Sequence, residues 1–555
     1  MHILKRDWTR YIAIMMILML ILSGCSSDVS TNKVSSPAPG PDTTAANGPQ
    51  KGGELTYALA GSPRSLDPHG DGSALGARVQ RTLFDSLVIL LDNQVKPWLA
   101  TEWSNSADGM VYTFKLRKDV KFHDGTPFNA QAVKYNFDRL IDPNTKSGVG
   151  REAIGPYLSS EVIDDYTLKV NLEKPYAPFL SGLSQFFIGN VSPTALEKLG
   201  SQLGKIPAAG TGPFKFVKWV ENSEIVVERN PDYNWGPTGL SNNGPAYLDK
   251  LTFKIVPEEA TRIGSVLSKQ VLAGETIPPQ NVVALKNDPN FQIFQTQTGG
   301  LPYTLFINQK HAPWNELKAR QALQLTIDVD FIVKTLYMGT YERAWSPLSP
   351  STFGYSKSVE NKVKPDVKKA NQLLDELGWV RGADGIREKD GKKLTILYVD
   401  SSPNREKRND IAAIIQQQLK EIGVSVDVQI TKDAYTSVIT KGQPYDVFGN
   451  STVSPDPDRV RFFYHSQVNN VPGDQRNIPG LSDPEIDKLI DQGGQETDKS
   501  KREEIYKQFQ KAVIDKAVII PIYVFPYTVA AAKSVHDLKF DSPGYPLFND
   551  VFIAK

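Results

Sequence analysis

Apolar and polar side chains alternate strictly from Tyr112 to Arg117. Tyr112, Phe114 and Leu116 fall on one face, and Thr113, Lys115 and Arg117 on the other. That period of two predicts a strand with one buried face. Asp108-Gly109 precedes it and Asp124-Gly125-Thr126-Pro127 follows it as turn punctuation. Asn129 is placed to cap a helix on which Val133, Phe137 and Leu140 recur at helical spacing. Residues 100–140 therefore predict a turn–strand–turn–helix unit.

The same reading carries along the chain. It predicts strands at 51–59, 163–172, from 214 to 227, and at 248–256 in the first half, with a mixed apolar segment at 81–91. In the second half it predicts a strand at 303–308 and one helix over 316–337, with Ala319, Leu323 and Ile327 on one face. Helices at 365–378 and 405–422 follow, stopped by Gly378 and Gly423, with strands at 394–399 and 424–430 beside them. Helices at 483–490 and 501–516 lead into a buried strand at 517–524. Helix alternating with strand implies a parallel or mixed sheet covered by helices. No internal repeat interrupts the pattern.

The N-terminus sets the compartment. Lys5, Arg6 and Arg10 precede an uncharged run over 11–22. A bilayer span needs ~20 residues, so this run suits a signal peptide. Leu22-Ser23-Gly24-Cys25 follows it and resembles the lipobox of bacterial lipoproteins. The resemblance implies cleavage after Gly24, lipidation of Cys25 and attachment to the extracytoplasmic face of the cell membrane, or a periplasmic location. Cys25 is the only cysteine of 555 residues, so the chain has no disulfide, no thiol nucleophile and no cysteine-based zinc site. Residues 25–50 are mostly Ser, Thr, Asn, Pro, Gly and Ala, too polar to bury a core, and predict a disordered tether.

Charge narrows the partners. The chain carries 63 Lys and Arg against 62 Asp and Glu. Removing residues 1–24 takes away three basic residues and one acidic residue, leaving 60 against 61. No basic block exists to grip a phosphate backbone, which argues against nucleic acid as a partner. A body of roughly 500 residues exceeds one ordinary core and predicts at least two lobes.

Catalytic motifs are weak. His123-Asp124 is the one tempting pair, but neighbours at a strand end point in different directions, and a turn explains Asp124. None of the six histidines lies at metal-ligand spacing from another. No G-x-S-x-G elbow occurs. Gly210-Thr211-Gly212 runs into Pro213 and lacks the third glycine of a dinucleotide loop. No cofactor is expected, and the chain reads as a non-enzyme.

A set of ordered motifs then carries a resemblance. They are Ala107-Asp108-Gly109, Phe122-His123-Asp124-Gly125-Thr126-Pro127-Phe128, Gly210-Thr211-Gly212-Pro213-Phe214, Asn230-Pro231-Asp232-Tyr233, Arg320-Gln321-Ala322-Leu323 and Ser482-Asp483-Pro484-Glu485. Together they resemble the family 5 extracellular solute-binding proteins, the peptide, nickel and opine receptors of ABC importers. The resemblance implies a two-lobed α/β fold of the periplasmic-binding-protein type, with an extra subdomain in lobe I and discontinuous lobes joined by a hinge. Lobe I is expected at 51–300 and 528–555, and lobe II at 301–527. The implied partners are a small peptide or related solute and an ABC permease complex, with membrane contact through the lipid anchor and a monomeric receptor.

The ligand loops divide the options. Peptide receptors of the family often carry an aspartate three residues before a turn such as Asp456-Pro457-Asp458; here that position is Val453, and Asn450 stands near the place of a common tryptophan. An acid could come from another loop, or from Asp456 itself. Receptors for nickel chelates and opines in the family set arginines against carboxylates, because a guanidinium fork matches a carboxylate. Arg151, in the loop over 147–154, and Arg459 or Arg461, after the Asp456-Pro457-Asp458 turn, are the candidates. Trp345 and Tyr355 lie in a loop that the resemblance places against the cleft. The expected ligand-binding set is Arg151, Trp345, Tyr355, Asn450, Ser451, Asp456 and Arg459. An oligopeptide or dipeptide-like solute is the first reading and a nickel chelate or opine-like carboxylate the alternative. A secreted hydrolase or non-transporting sensor lipoprotein is the competitor from another class.

Overall fold

A computed structural model describes residues 48–402, 404–467 and 476–554. The signal segment and Cys25 lie outside the described residues, as does nearly all of the tether.

Two sheets organise the body. The first has seven strands in the order Phe291–Gln297, Pro526–Ala532, Ala273–Glu275, Glu54–Leu59, Lys250–Ile255, Glu224–Arg229, Phe214–Val220. Glu54–Leu59 runs parallel to both of its neighbours, and Pro526–Ala532 runs antiparallel to both of its own. The second sheet has six strands in the order Glu342–Arg343, Ile519–Val524, Gly300–Ile307, Val447–Val453, Thr395–Ser401, Ser425–Thr431. Its all-buried strands, such as Gly300–Ile307 and Ile519–Val524, are continuous apolar runs covered on both faces. Each sheet has its own apolar core, so the protein is two-lobed.

The chain crosses between the sheets twice, from Phe291–Gln297 into Gly300–Ile307 and from Ile519–Val524 back into Pro526–Ala532. The first sheet is therefore completed by C-terminal chain. The two crossings are bonded to each other: Thr298 donates from its backbone N–H (3.1 Å) and its hydroxyl (2.9 Å) to the carbonyl of Phe525.

The segment at 100–140 forms part of a third layer. A four-stranded antiparallel sheet runs Ala100–Asn105, Val111–Leu116, Thr167–Leu172, Tyr157–Asp164. Tyr112, Phe114 and Leu116 face inward as the alternation requires, and Val133, Phe137 and Leu140 of the helix Ala130–Ile141 join the same core. Each such side chain contributes roughly 1.5–3 kcal/mol on burial. Asn129 caps that helix by accepting from Ala132 N–H at 2.9 Å.

His123 and Asp124 are structural. The His123 ring nitrogen Nε2 lies 2.9 Å from the Gly212 carbonyl oxygen, and burial pulls its pKa down to about 4. Asp124 accepts from Thr126 N–H (3.0 Å) and from the Ser192 hydroxyl (2.6 Å). Gly212 is glycine because of close approach: a Cβ there would stand 2.5 Å from the Leu83 carbonyl carbon. Beneath this turn lies Asp85, fully buried. It accepts from Thr211 Oγ1 and Trp235 Nε1, both at 3.0 Å, and from Tyr233 at 3.5 Å. Burial pushes its pKa up to about 7, against the pull of those donors.

Some elements differ from the sequence reading. The expected helix over 316–337 is two helices, Leu317–Thr326 and Val329–Tyr337, because Asp328 accepts from Phe331 N–H and starts the second. The apolar period runs through the break, so the pattern alone hides it. Segment 81–91 splits into the end of the helix Ala74–Leu83 and the strand Val88–Leu91. In the stretch 163–172 the strand expected after the Asp164-Asp165 turn is Thr167–Leu172, while Ile163 and Asp164 end a separate strand, Tyr157–Asp164, with which it forms a hairpin.

Candidate functional site

The strand Val447–Val453 delivers the chain to the boundary between the lobes at Ser454-Pro455-Asp456. Asp456 then caps the short helix Pro457–Arg459, its Oδ1 accepting from Asp458 N–H at 2.9 Å with proline at the first position. The cap aims the Arg459 side chain back across the boundary. From the first lobe, the helix Gly148–Ile154 brings Glu152, and the helix Phe179–Leu183 is followed by Gln185.

These segments line a cavity of about 130 Å³. Glu152, Tyr176, Gln185 and Tyr545 face it from the first lobe, and Ser454 and Arg459 from the second. An adjoining chamber of about 450 Å³ shares Pro455 and Asp456 with it, and carries Tyr112, Phe353 and Lys499 in its wall. A third space, of about 480 Å³, lies against the second lobe and shares Thr452 and Arg459.

Among the described residues, several polar contacts tie the lobes across this region. Arg459 forms an ion pair with Glu152. Ser181 donates to Asp456 Oδ2 at 3.0 Å, Ala177 N–H to the Gly494 carbonyl at 2.9 Å, and Asn93 to the Ser351 carbonyl at 2.7 Å. Burial, reinforced by Arg476, pulls the Arg459 pKa down to about 10, so it remains a cation at neutral pH. Asp458 is pushed up to about 6 by burial, although Arg461 opposes the shift.

Two donors at the cavity are unsatisfied. The side-chain nitrogen of Gln185, a residue 4% exposed, and Nε of Arg459 are buried with no hydrogen-bond acceptor among the described residues. Unpaired buried donors are costly and uncommon in folded proteins.

The structure brings together some of the expected residues and separates others. Asp456 and Arg459 both reach the cavity, and Val453 stands in its wall. Asp456 is fully occupied, however: Arg502 holds it with two bonds (3.0 and 2.6 Å) in addition to Ser181. Asn450 and Ser451 line the third space with Arg459, and Ser451 Oγ accepts from Arg408 at 3.0 Å. Arg151 faces solvent and donates to the Ile141 carbonyl at 2.5 Å, whereas its neighbour Glu152 faces the cavity. Successive helical residues are about 100° apart, which is enough to exchange solvent for cavity. Trp345 lies under the Arg343 guanidinium at 3.5 Å, beside a separate hollow inside the second lobe. Tyr355 donates to Glu360 at 3.0 Å and packs on the second-lobe core. Glu152, Gln185, Tyr176 and Tyr545 were not expected; none lies in a recognisable motif, and only the acid-from-another-loop argument pointed towards Glu152.

Comparison with known proteins supplies the context. Residues 94–472 match the bacterial extracellular solute-binding proteins, family 5. The chain is similar to the oligopeptide-binding protein AppA of Bacillus subtilis, 26% identical over 97% of each chain. It is also similar to the glutathione-binding protein GsiB of Escherichia coli, 27% identical over 87% of this chain and 91% of that one. Among solved structures, NikA from Brucella suis in complex with Fe(III)-EDTA superposes with a TM-score of 0.79 at 27% identity, covering 90% of this chain and all of the other.

Proposed function

We propose that this chain, which belongs to the family 5 bacterial extracellular solute-binding proteins, is the lipid-anchored receptor of an ABC importer for an oligopeptide or dipeptide-like solute. The solute is enclosed between the lobes and presented to a permease. The observation that carries this reading is the interlobe cavity, walled by both lobes and crossed by Arg459 and Glu152. Relatives that bind an oligopeptide and glutathione support the solute class.

Mass spectrometry of solute released from natively purified protein tests it, together with thermal shift against a peptide library. One clear stabiliser is expected, adding ~2.7 kcal/mol at a hundredfold excess over Kd. Hydrolysis of the peptides by the pure protein would instead favour the secreted-hydrolase class. The second reading, a chelate or opine-like carboxylate, is favoured by the place of Arg459 in the cavity wall; stabilisation by nickel chelates and not by peptides would select it.

Anchoring has its own test. Cys25→Ser is expected to release the protein from the membrane fraction with ligand affinity unchanged. Retention in that fraction would contradict the lipidation of Cys25.

A further inference from the structure

Resting on that receptor reading, we infer that the 450 Å³ chamber between the lobes is a subsite for a large apolar side chain of the solute, phenylalanine or leucine in kind. The Tyr112 hydroxyl bonds the peptide group beside that side chain.

Size comes first. Pockets that hold a small ligand run roughly 300–1,000 Å³. The 130 Å³ cavity falls short of that range and the chamber lies within it. The third space is as large, but second-lobe residues alone line it. The chamber has Leu90, Val95, Tyr112 and Leu180 from the first lobe, and Phe353 and Arg502 from the second. An occupant touching both walls binds better when the lobes meet, and so favours that arrangement.

The wall sets the chemistry. Leu90, Val95, Leu180, Phe353 and the Tyr112 ring give it an apolar lining. Its charged groups are Asp456, Glu496, Lys499 and Arg502. Asp456 and Arg502 hold each other with two bonds (3.0 and 2.6 Å). Glu496 accepts from Asp498 N–H at 2.8 Å, and the ammonium of the exposed Lys499 lies 5.7 Å from the centre of the Phe353 ring. Two acids face two bases, so a neutral side chain enters without disturbing the balance, while a charged one adds an ion.

Tyr112 supplies the polar contact. It is only 5% exposed, yet its hydroxyl has no hydrogen-bond partner among the described residues and retains accessible surface in the chamber wall. Buried tyrosine hydroxyls normally find a partner. Burial raises its pKa against the opposing pull of Arg502, which keeps it a neutral donor.

Calorimetric titration of the full chain with triglycine, and with tripeptides carrying phenylalanine or glutamate at each of its positions in turn, tests the assignment. Phenylalanine at one position is expected to tighten binding roughly tenfold or more over triglycine, and glutamate at that position to give no gain. Tyr112→Phe is expected to weaken that peptide about threefold to tenfold with urea stability unchanged, since the hydroxyl gives up no bond within the protein. Asn105→Trp fills the chamber from its exposed rim, opposite Tyr112 across the strand pair. It is expected to erase the phenylalanine preference while triglycine binds as before. Equal affinities, a larger gain from glutamate, binding of no peptide, or a phenylalanine preference that survives Asn105→Trp would overturn the proposal. Recovery of a native solute with no large apolar side chain would overturn it and leave the receptor reading standing. Absence of any released or stabilising solute would remove the receptor reading as well.

Discussion

Arg502→Met is expected to destabilise the protein by about 3–5 kcal/mol, the range for stripping one partner from a buried ion pair. Asp456 is 8% exposed and receives two of the Arg502 bonds, while Arg502 Nε also donates to the Gly493 carbonyl at 2.8 Å. Methionine keeps the packing volume but leaves the Asp456 carboxylate with Ser181 and one backbone N–H. Urea unfolding at pH 7 measures the loss. The double variant with Asp456→Asn is expected to recover part of it, because the uncompensated charge is then gone. A loss below about 1 kcal/mol would show that water reaches the pair and screens it as it does an exposed one.

Asp85→Asn is expected to leave stability nearly unchanged at pH 4 and to raise it at pH 8 by roughly 4 kcal/mol relative to wild type. The carboxyl binds its proton more tightly when folded, at about 7, than when unfolded, near 3.8. Its contribution is therefore fully present below the unfolded pKa and is lost as pH rises through 7. Asparagine stays neutral throughout. Its oxygen can accept from Thr211 and Trp235, and its amide can donate to the Tyr233 oxygen. Parallel pH dependences of the two proteins in chemical denaturation would show that Asp85 is ionised in the fold at no cost.

The elements with strong local signals were legible in the sequence. The strand Val111–Leu116 follows from alternation and the helix Ala130–Ile141 from its Asn129 cap. Local information failed where an apolar period ran through a boundary, as at Asp328. At the site, Arg459 was singled out because it follows the Asp456-Pro457-Asp458 turn in a family whose carboxylate receptors use arginines, and it lines the cavity. Glu152 and Gln185 were not, since their importance arises only when chain some 300 residues away folds against them. Arg151 and Glu152 share one helix, and a single helical step sends the first to solvent and the second to the cavity wall, a difference no loop-level reading resolves. Trp345 and Tyr355 are held inside the second lobe by Arg343 and Glu360, partners that no spacing rule supplies. Asp456 stood where expected, but the remote Arg502 claims its charge.

The bonded pair of crossings at Thr298 and Phe525 has a kinematic consequence. Sliding one lobe past the other would rupture the Thr298 bonds, whereas tilting about them preserves the bonds. Walls near the crossings then travel little and walls far from them travel most. Distance labels placed far from Thr298, one on each lobe, would report the largest excursion.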